Sequence, residues 1–328
     1  MEEMTLEDLD LPGPATQCFV DQAKSVITYN RSPDIPLDRS INPYRGCEHG
    51  CIYCYARPSH AYLDLSPGID FETRIGWKPD AARVLRAELA HRRYRCAPLL
   101  LGANTDAWQP LERHLGITRQ ILEVLCETRH PLQIITRSAL IERDLDLLTD
   151  LARDDLVEVL FSVTTLDDAL ARHMEPRAPR PQRRLDAMRT LADAGVPVGV
   201  LFAPLIPALN DHEMESVIEA AHGAGARAAG YIVLRLPHEV DTLFTDWLQR
   251  HYPDKARHVL SVLTQMRGGR HNDSRFGHRM RGEGPFAELY SQRLRNLCKR
   301  LGLARARRDL DTTAFRPPRE TDPQGSLF

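Results

Sequence analysis

The sequence predicts an α/β protein in which strands and helices alternate along most of the chain and the strands run parallel. Three observations carry that prediction. Short apolar runs recur without the polar alternation of a half-exposed sheet, as expected of strands covered on both faces. Amphipathic helical patterns lie between them. Gly and Pro stand where those helices should end or begin. With 328 residues, 42% hydrophobic and 27% charged, the chain can bury a full core of ordinary composition.

Residues 1–37 read as an N-terminal extension, acidic at first and then punctuated by Pro12, Pro14, Pro33 and Pro36. It holds one short strand near 25–29, and its first residues are expected to be mobile. Candidate strands follow at 40–44, 98–102, 132–136, 157–163, 196–203 and 229–236. The helical patterns between them cover 79–94, 116–129, 140–152, 181–194 and 211–223. Six units in series argue for a parallel βα barrel, closed or partial, although periodicity alone leaves an open doubly wound sheet equally available. After Leu236 the pattern turns helical, with 253–266 and 285–301 flanking a loop rich in Gly, Arg and His. The domain division is therefore an extension over 1–37, a core over 38–250, a basic helical segment over 251–310 and a disordered tail over 311–328.

The most informative stretch is Cys47-Glu48-His49-Gly50-Cys51-Ile52-Tyr53-Cys54, directly after the first core strand. It spaces three of the chain's seven cysteines as C-x3-C-x2-C. Thiolates on one short loop suit zinc or an iron–sulfur centre. The missing fourth cysteine matters, because a reactive centre keeps a coordination position open. On spacing alone, a zinc knuckle or a closed electron-transfer cluster stays open too, with Cys96 or His49 as candidate fourth ligand. His49 and His60 otherwise read as solvated loop histidines.

With its aromatic directly before the third cysteine, the loop resembles the cluster loop of the radical S-adenosylmethionine (SAM) superfamily. The wider run, from Asn42-Pro43-Tyr44-Arg45-Gly46 to Tyr55-Ala56-Arg57-Pro58, is similar to the spore-photoproduct-lyase-related, DNA-repair-photolyase-like bacterial branch. The resemblance implies a six-stranded partial TIM-type barrel with its site at the C-terminal strand ends. It implies a 4Fe–4S cluster on Cys47, Cys51 and Cys54, with SAM on the fourth iron. Reductive cleavage would yield a 5′-deoxyadenosyl radical, fed by a reductant such as flavodoxin or ferredoxin.

The same resemblance suggests SAM contacts. Asn104, Thr105 and Asp106, at the second strand's end, occupy the place of the family's ammonium-binding segment, without its usual acidic residue after two glycines. Thr136 and Ser162, at the third and fourth strand ends, suit ribose or carboxylate contacts and equally suit helix capping. Arg184, in the stretch from Glu175 to Leu185, matches the family arginine that reaches the SAM carboxylate, a task suited to a guanidinium fork. Tyr53 is placed beside the cluster and adenine. Arg235, at the sixth strand end, reads as a site arginine or a buried ion-pair partner.

The formal net charge of −2 names no partner. From Arg267 to Arg308, however, eleven Arg and one Lys face only Asp273, Glu283 and Glu288. With Phe276 and Tyr290 interleaved, that segment suits a phosphate backbone or, more plainly, a solvated face. A nucleic-acid substrate is the leading expectation. Radical modification of a peptide or metabolite is the alternative, and a non-catalytic metal- or nucleic-acid-binding module is the reading from another class. Photoproduct cleavage itself calls for a further hydrogen-donor cysteine, and Cys298 reads as a core residue. No apolar run is long enough for a membrane span or leader, so the expectation is a cytoplasmic protein with reduced thiols and no membrane partner.

Overall fold

The computed structural model describes residues 15–305 and 308–318. Its strands are β1 (Gln17–Val20), β2 (Ile27–Tyr29), β3 (Arg39–Ile41), β4 (Tyr44–Arg45), β5 (Arg74–Trp77), β6 (Leu99–Leu101), β7 (Leu132–Thr136), β8 (Val157–Ser162), β9 (Val198–Leu205) and β10 (Ala228–Val233). One sheet has the order β10-β9-β8-β7-β6-β3-β2. Within it β3 and β6 to β10 run parallel, and β2 lines the edge antiparallel. The two edges do not pair with each other, so the sheet is open.

The strands lie where continuous apolar runs demand cover on both faces. β6 and most of β7 and β8 are buried. Helices Ile117–Glu127, Leu145–Arg153, Pro181–Asp193 and Met214–Gly223 supply the outer cover, and their apolar sides join one continuous core. Helix starts follow local chemistry. The Asp167 carboxylate accepts from the N–H groups of Ala169 and Leu170 at the head of Asp168–Met174. Pro181 and Pro253 open their helices, where a missing N–H is harmless. No helix among the described residues is long and apolar enough to cross a membrane.

Four differences from the sequence reading have physical causes. The strand expected over 40–44 breaks into β3 and β4, because Pro43 has no N–H for a ladder and the Asn42 side chain turns to accept from the Asn104 N–H at 2.9 Å. β4 instead pairs with β5, which also pairs with β1. These strands are too short and too exposed to announce themselves by periodicity. The helix expected over 140–152 opens as a 3-10 turn, Ala139–Asp144.

The fourth difference is the tail. Expected to be disordered from 311, it is docked over 311–318. The Arg316 N–H donates to the Thr128 carbonyl at 2.8 Å, and the Phe315 ring packs on Tyr94 and His130. Residues 319–328, and the first residues expected to be mobile, lie outside the described residues or partly so, the description beginning at 15.

Candidate functional site

The cysteine loop is built around a buried arginine. Arg57, 1% exposed, donates from Nε to the Cys51 carbonyl and from Nη2 to the Gly50 carbonyl, both at 3.0 Å, and from Nη1 to the Gly68 carbonyl at 2.7 Å. Glu72 balances its charge at 3.2 Å. The Cys47 N–H donates to the Phe71 carbonyl at 2.9 Å. Gly46 makes that approach possible, since its φ is +82° and a Cβ there would sit 2.7 Å from the same oxygen. On the other side, Gln109 accepts from the Glu48 N–H at 2.8 Å.

So held, Cys47, Cys51 and Cys54 all border one cavity of about 520 Å³. All three are free thiols. Burial pushes the Cys51 thiol up to about 12 and raises Cys47 further. Such thiols stay protonated until a metal displaces the proton.

The wall beside them carries a charge network. Arg137, at the end of β7, gathers three contacts on Nη1: the Cys51 sulfur at 2.9 Å, the Tyr53 hydroxyl at 2.6 Å and the Glu175 carboxylate at 2.8 Å. Its Nε and Nη2 have no partner among the described residues. Glu175 also accepts from Tyr53, Arg184 and, at 3.1 Å, Thr164. Burial works against its ionised form, but Arg184 and Arg137 outweigh burial and hold its carboxyl at about 2.

The expected site residues divide into two groups. Tyr53, Asn104, Thr105, Asp106, Thr136 and Ser162 all border the cavity. Asp106 is already engaged, accepting from the Thr136 hydroxyl and from the N–H groups of Arg137 and Trp108. The Thr105 hydroxyl donates to the Tyr44 carbonyl at 3.1 Å. Arg184 is not on the cavity wall. It is 1% exposed, and its Nε, Nη1 and Nη2 go to the Pro179 carbonyl, the Ser162 carbonyl and Glu175. His49 and His60 are buried rather than solvated. Burial pushes His49 down to about 4.

Three cavity residues stand outside the expected set, Tyr55 being set aside there as packing. Arg137 follows Thr136 at a strand end, and its position was the available signal. Tyr55 donates to the Ala103 carbonyl and lies under the Arg235 guanidinium at 5.0 Å. Glu158 faces the cavity from β8. Among the described residues Arg235 makes no ion pair within 4 Å. It meets that ring and the Met280 sulfur at 3.9 Å, and feels the Asp34 carboxylate at longer range.

The rim joins distant parts of the chain. Asp34 accepts from the Gly277 N–H at 2.7 Å and pairs with Arg279. Arg267, 1% exposed, donates to the carbonyls of Val233, Leu234, His278 and Arg279.

The donor set fits an iron–sulfur cluster. Three thiols line the same cavity. Among the described residues, no three His, Cys, Asp or Glu side chains are arranged to hold a single metal ion. A cuboidal cluster takes each thiolate on a separate iron, so its donors do not have to meet at one point.

Comparison with known proteins gives a consistent answer. The model of the radical SAM superfamily matches residues 41–221. An uncharacterized protein of Mycobacterium tuberculosis is 36% identical over 222 residues, covering 67% of this chain and 65% of that protein. The match thus spans just under two thirds of the mycobacterial relative's length. An uncharacterized protein of Methanocaldococcus jannaschii is 29% identical over 173 residues, 53% of this chain and 62% of that one. Among solved structures, spore photoproduct lyase complexed with dinucleoside spore photoproduct superposes with a TM-score of 0.62 at 17% identity, covering 87% of this chain and 79% of the lyase. A mutant of that lyase with bound AdoMet and the same dinucleoside gives 0.61 at 16% identity, over 87% and 79%.

Proposed function

This chain belongs to the radical SAM superfamily, and on that premise we propose that it is an enzyme holding a 4Fe–4S cluster on Cys47, Cys51 and Cys54 and cleaving SAM at the C-terminal ends of a six-stranded partial barrel. One observation carries the proposal: the three thiols and a partly unpartnered guanidinium, Arg137, border the same cavity. When bound, the cluster supplies the electron that splits SAM into methionine and a 5′-deoxyadenosyl radical able to take hydrogen from a substrate. A protein reductant such as flavodoxin or ferredoxin would feed it.

The chain's own residues bind and orient. Arg137 offers Nε and Nη2 to a carboxylate, a match of charge and shape. Glu175, ionised by its two arginines, fixes Arg137 in that posture. Asp106 organises the rim through Thr136 and the Arg137 N–H, leaving the Asn104 amide for an ammonium or ribose group. Tyr53 and Tyr55 present ring surface beside the thiols.

A compact substrate held inside the cavity is the reading we favour. The basic C-terminal segment has less free charge than its composition suggests. Arg275, Arg279, Arg293, Arg300 and Arg308 are paired with Asp273, Asp34, Glu215, Glu219 and Asp155. Nucleic acid remains the second reading, supported by the dinucleoside ligand of the similar lyase and by Arg235 at the mouth.

The test is anaerobic reconstitution with iron and sulfide, followed by dithionite, SAM and assay for 5′-deoxyadenosine. Wild type should form it, and Cys47→Ala, Cys51→Ala and Cys54→Ala should each lose it. Bound zinc, or a cluster whose spectrum ignores SAM, would overturn the proposal.

A further inference from the structure

The cavity has a second polar end, away from the cysteines. Strand alternation turns Gln133 and Ile135 of β7, and Glu158, Leu160 and Ser162 of β8, toward the same interior. Gln133 pairs with Glu158 in the ladder, and Ile135 with Leu160 one step above. Four residues separate Glu158 from the Ser162 rim and Gln133 from Arg137, a depth of about 13 Å at the strand rise. The cavity is thus polar at the rim, apolar in the middle and polar again at the floor.

The floor is chemically unusual. Glu158 is 4% exposed and Gln133 is 5% exposed. The Gln133 amide donates to Glu158 Oε2 at 2.5 Å. That is the carboxylate's only side-chain partner among the described residues, and no Lys, Arg or His pairs with it. Arg305 borders the cavity near the start of β10, yet forms no ion pair with Glu158. A buried carboxylate without a cation is costly, and cores avoid it unless something else compensates. With the amide N–H already directed at Oε2, the pair shows the cavity two free acceptors, Glu158 Oε1 and Gln133 Oε1.

We propose that the Glu158–Gln133 floor recognises a cationic nitrogen, an ammonium or guanidinium, at the end of an apolar substrate chain. Two acceptors and one negative charge complement a group that carries several N–H donors and a positive charge. Ile135 and Leu160 give the chain its apolar passage. Arg137 and Arg235 at the rim disfavour a cationic group beside them, so the bound chain lies with its nitrogen at the floor. This assignment rests on the reading of the cavity as a SAM and substrate site, and it names the substrate's chemical class.

The experiment uses the reconstituted full chain with SAM and no reductant, titrated calorimetrically with n-butylammonium, n-butylguanidinium, n-butanol and n-butyrate. Wild type should bind the two cations at least tenfold more tightly than butanol and reject butyrate. Glu158→Gln should bring the cations and butanol within threefold. Equal binding of cation and alcohol by wild type overturns the proposal, and this comparison decides even if the variant fails to fold. A cation preference that survives in Glu158→Gln or in Glu158→Met overturns it as well. Failure of wild type to form 5′-deoxyadenosine strikes the parent reading instead and leaves these affinities measurable, so the two failures are separable.

Discussion

The sharpest prediction concerns which arginine meets the SAM carboxylate. Sequence resemblance points to Arg184, whereas the cavity wall carries Arg137. Arg184→Lys keeps a positive charge beside Glu175 but cannot reproduce three directed donors. The structure assigns those donors to Glu175 and two backbone carbonyls. Losing two hydrogen bonds to buried acceptors should lower stability by about 2–3 kcal/mol, read as a lower urea midpoint at unchanged slope. SAM affinity should stay within twofold.

Arg137→Met removes the guanidinium whose Nε and Nη2 have no partner among the described residues. A charge-assisted hydrogen bond contributes about 1.5–3 kcal/mol, so SAM binding should weaken by about 10- to 150-fold. The assay is equilibrium binding of SAM to samples matched in iron and sulfide content. If Arg184→Lys weakens SAM more than Arg137→Met does, the assignment of roles on this wall is wrong.

Three other outcomes are expected. His130 is fully buried between Tyr94 and Phe315, and burial pushes it down to about 4. An unfolded histidine titrates near 6.5, so stability is complete above that pH and declines as pH falls toward 4, by about 2–3 kcal/mol between pH 7.5 and 4.5. The urea midpoint should show this decline, and His130→Gln should make it shallower by that amount, leaving the share that buried His49 contributes. Gly102 has a φ of +87°, and a Cβ there would collide with the Ile135 carbonyl. Gly102→Ala should therefore lose at least about 2 kcal/mol by denaturant titration and weaken SAM binding at the adjoining rim. Asp34→Ala should release Arg279 and the Gly277 N–H, so trypsin should cut between 275 and 281 several times faster while the global urea midpoint moves by less than about 1 kcal/mol.

The legible parts of the fold were those in which a single physical demand acts on consecutive residues. β7 occupies residues 132–136 as expected, because a run in which four of five residues are buried leaves little room for another pattern. Helix Pro253–Met266 begins and ends where Pro253 and its apolar stripe predict. What escaped was set by residues far apart in sequence. Arg137 follows a strand end and Arg184 lies in helix Pro181–Asp193, and only the fold says that Arg184 stands behind Glu175 and Arg137 in front. The basic segment looked unbalanced because its counter-charges lie elsewhere, such as Asp155 for Arg308 and Glu215 for Arg293. Glu158 sits in a run that reads as plain strand, and nothing local marks its carboxylate as facing a cavity.

The rim also fixes an order of events during synthesis. The cysteine loop leaves the ribosome early, but the residues that join Asp34 and brace the end of β10 come from Arg267 and the stretch around 277–279, more than two hundred positions later. Until those residues emerge, Asp34 and the carbonyls of Val233 and Leu234 lack these partners. A shortened chain ending before Arg267 would keep Cys47, Cys51 and Cys54 while losing the hydrogen bonds to the Val233 and Leu234 carbonyls and to Asp34.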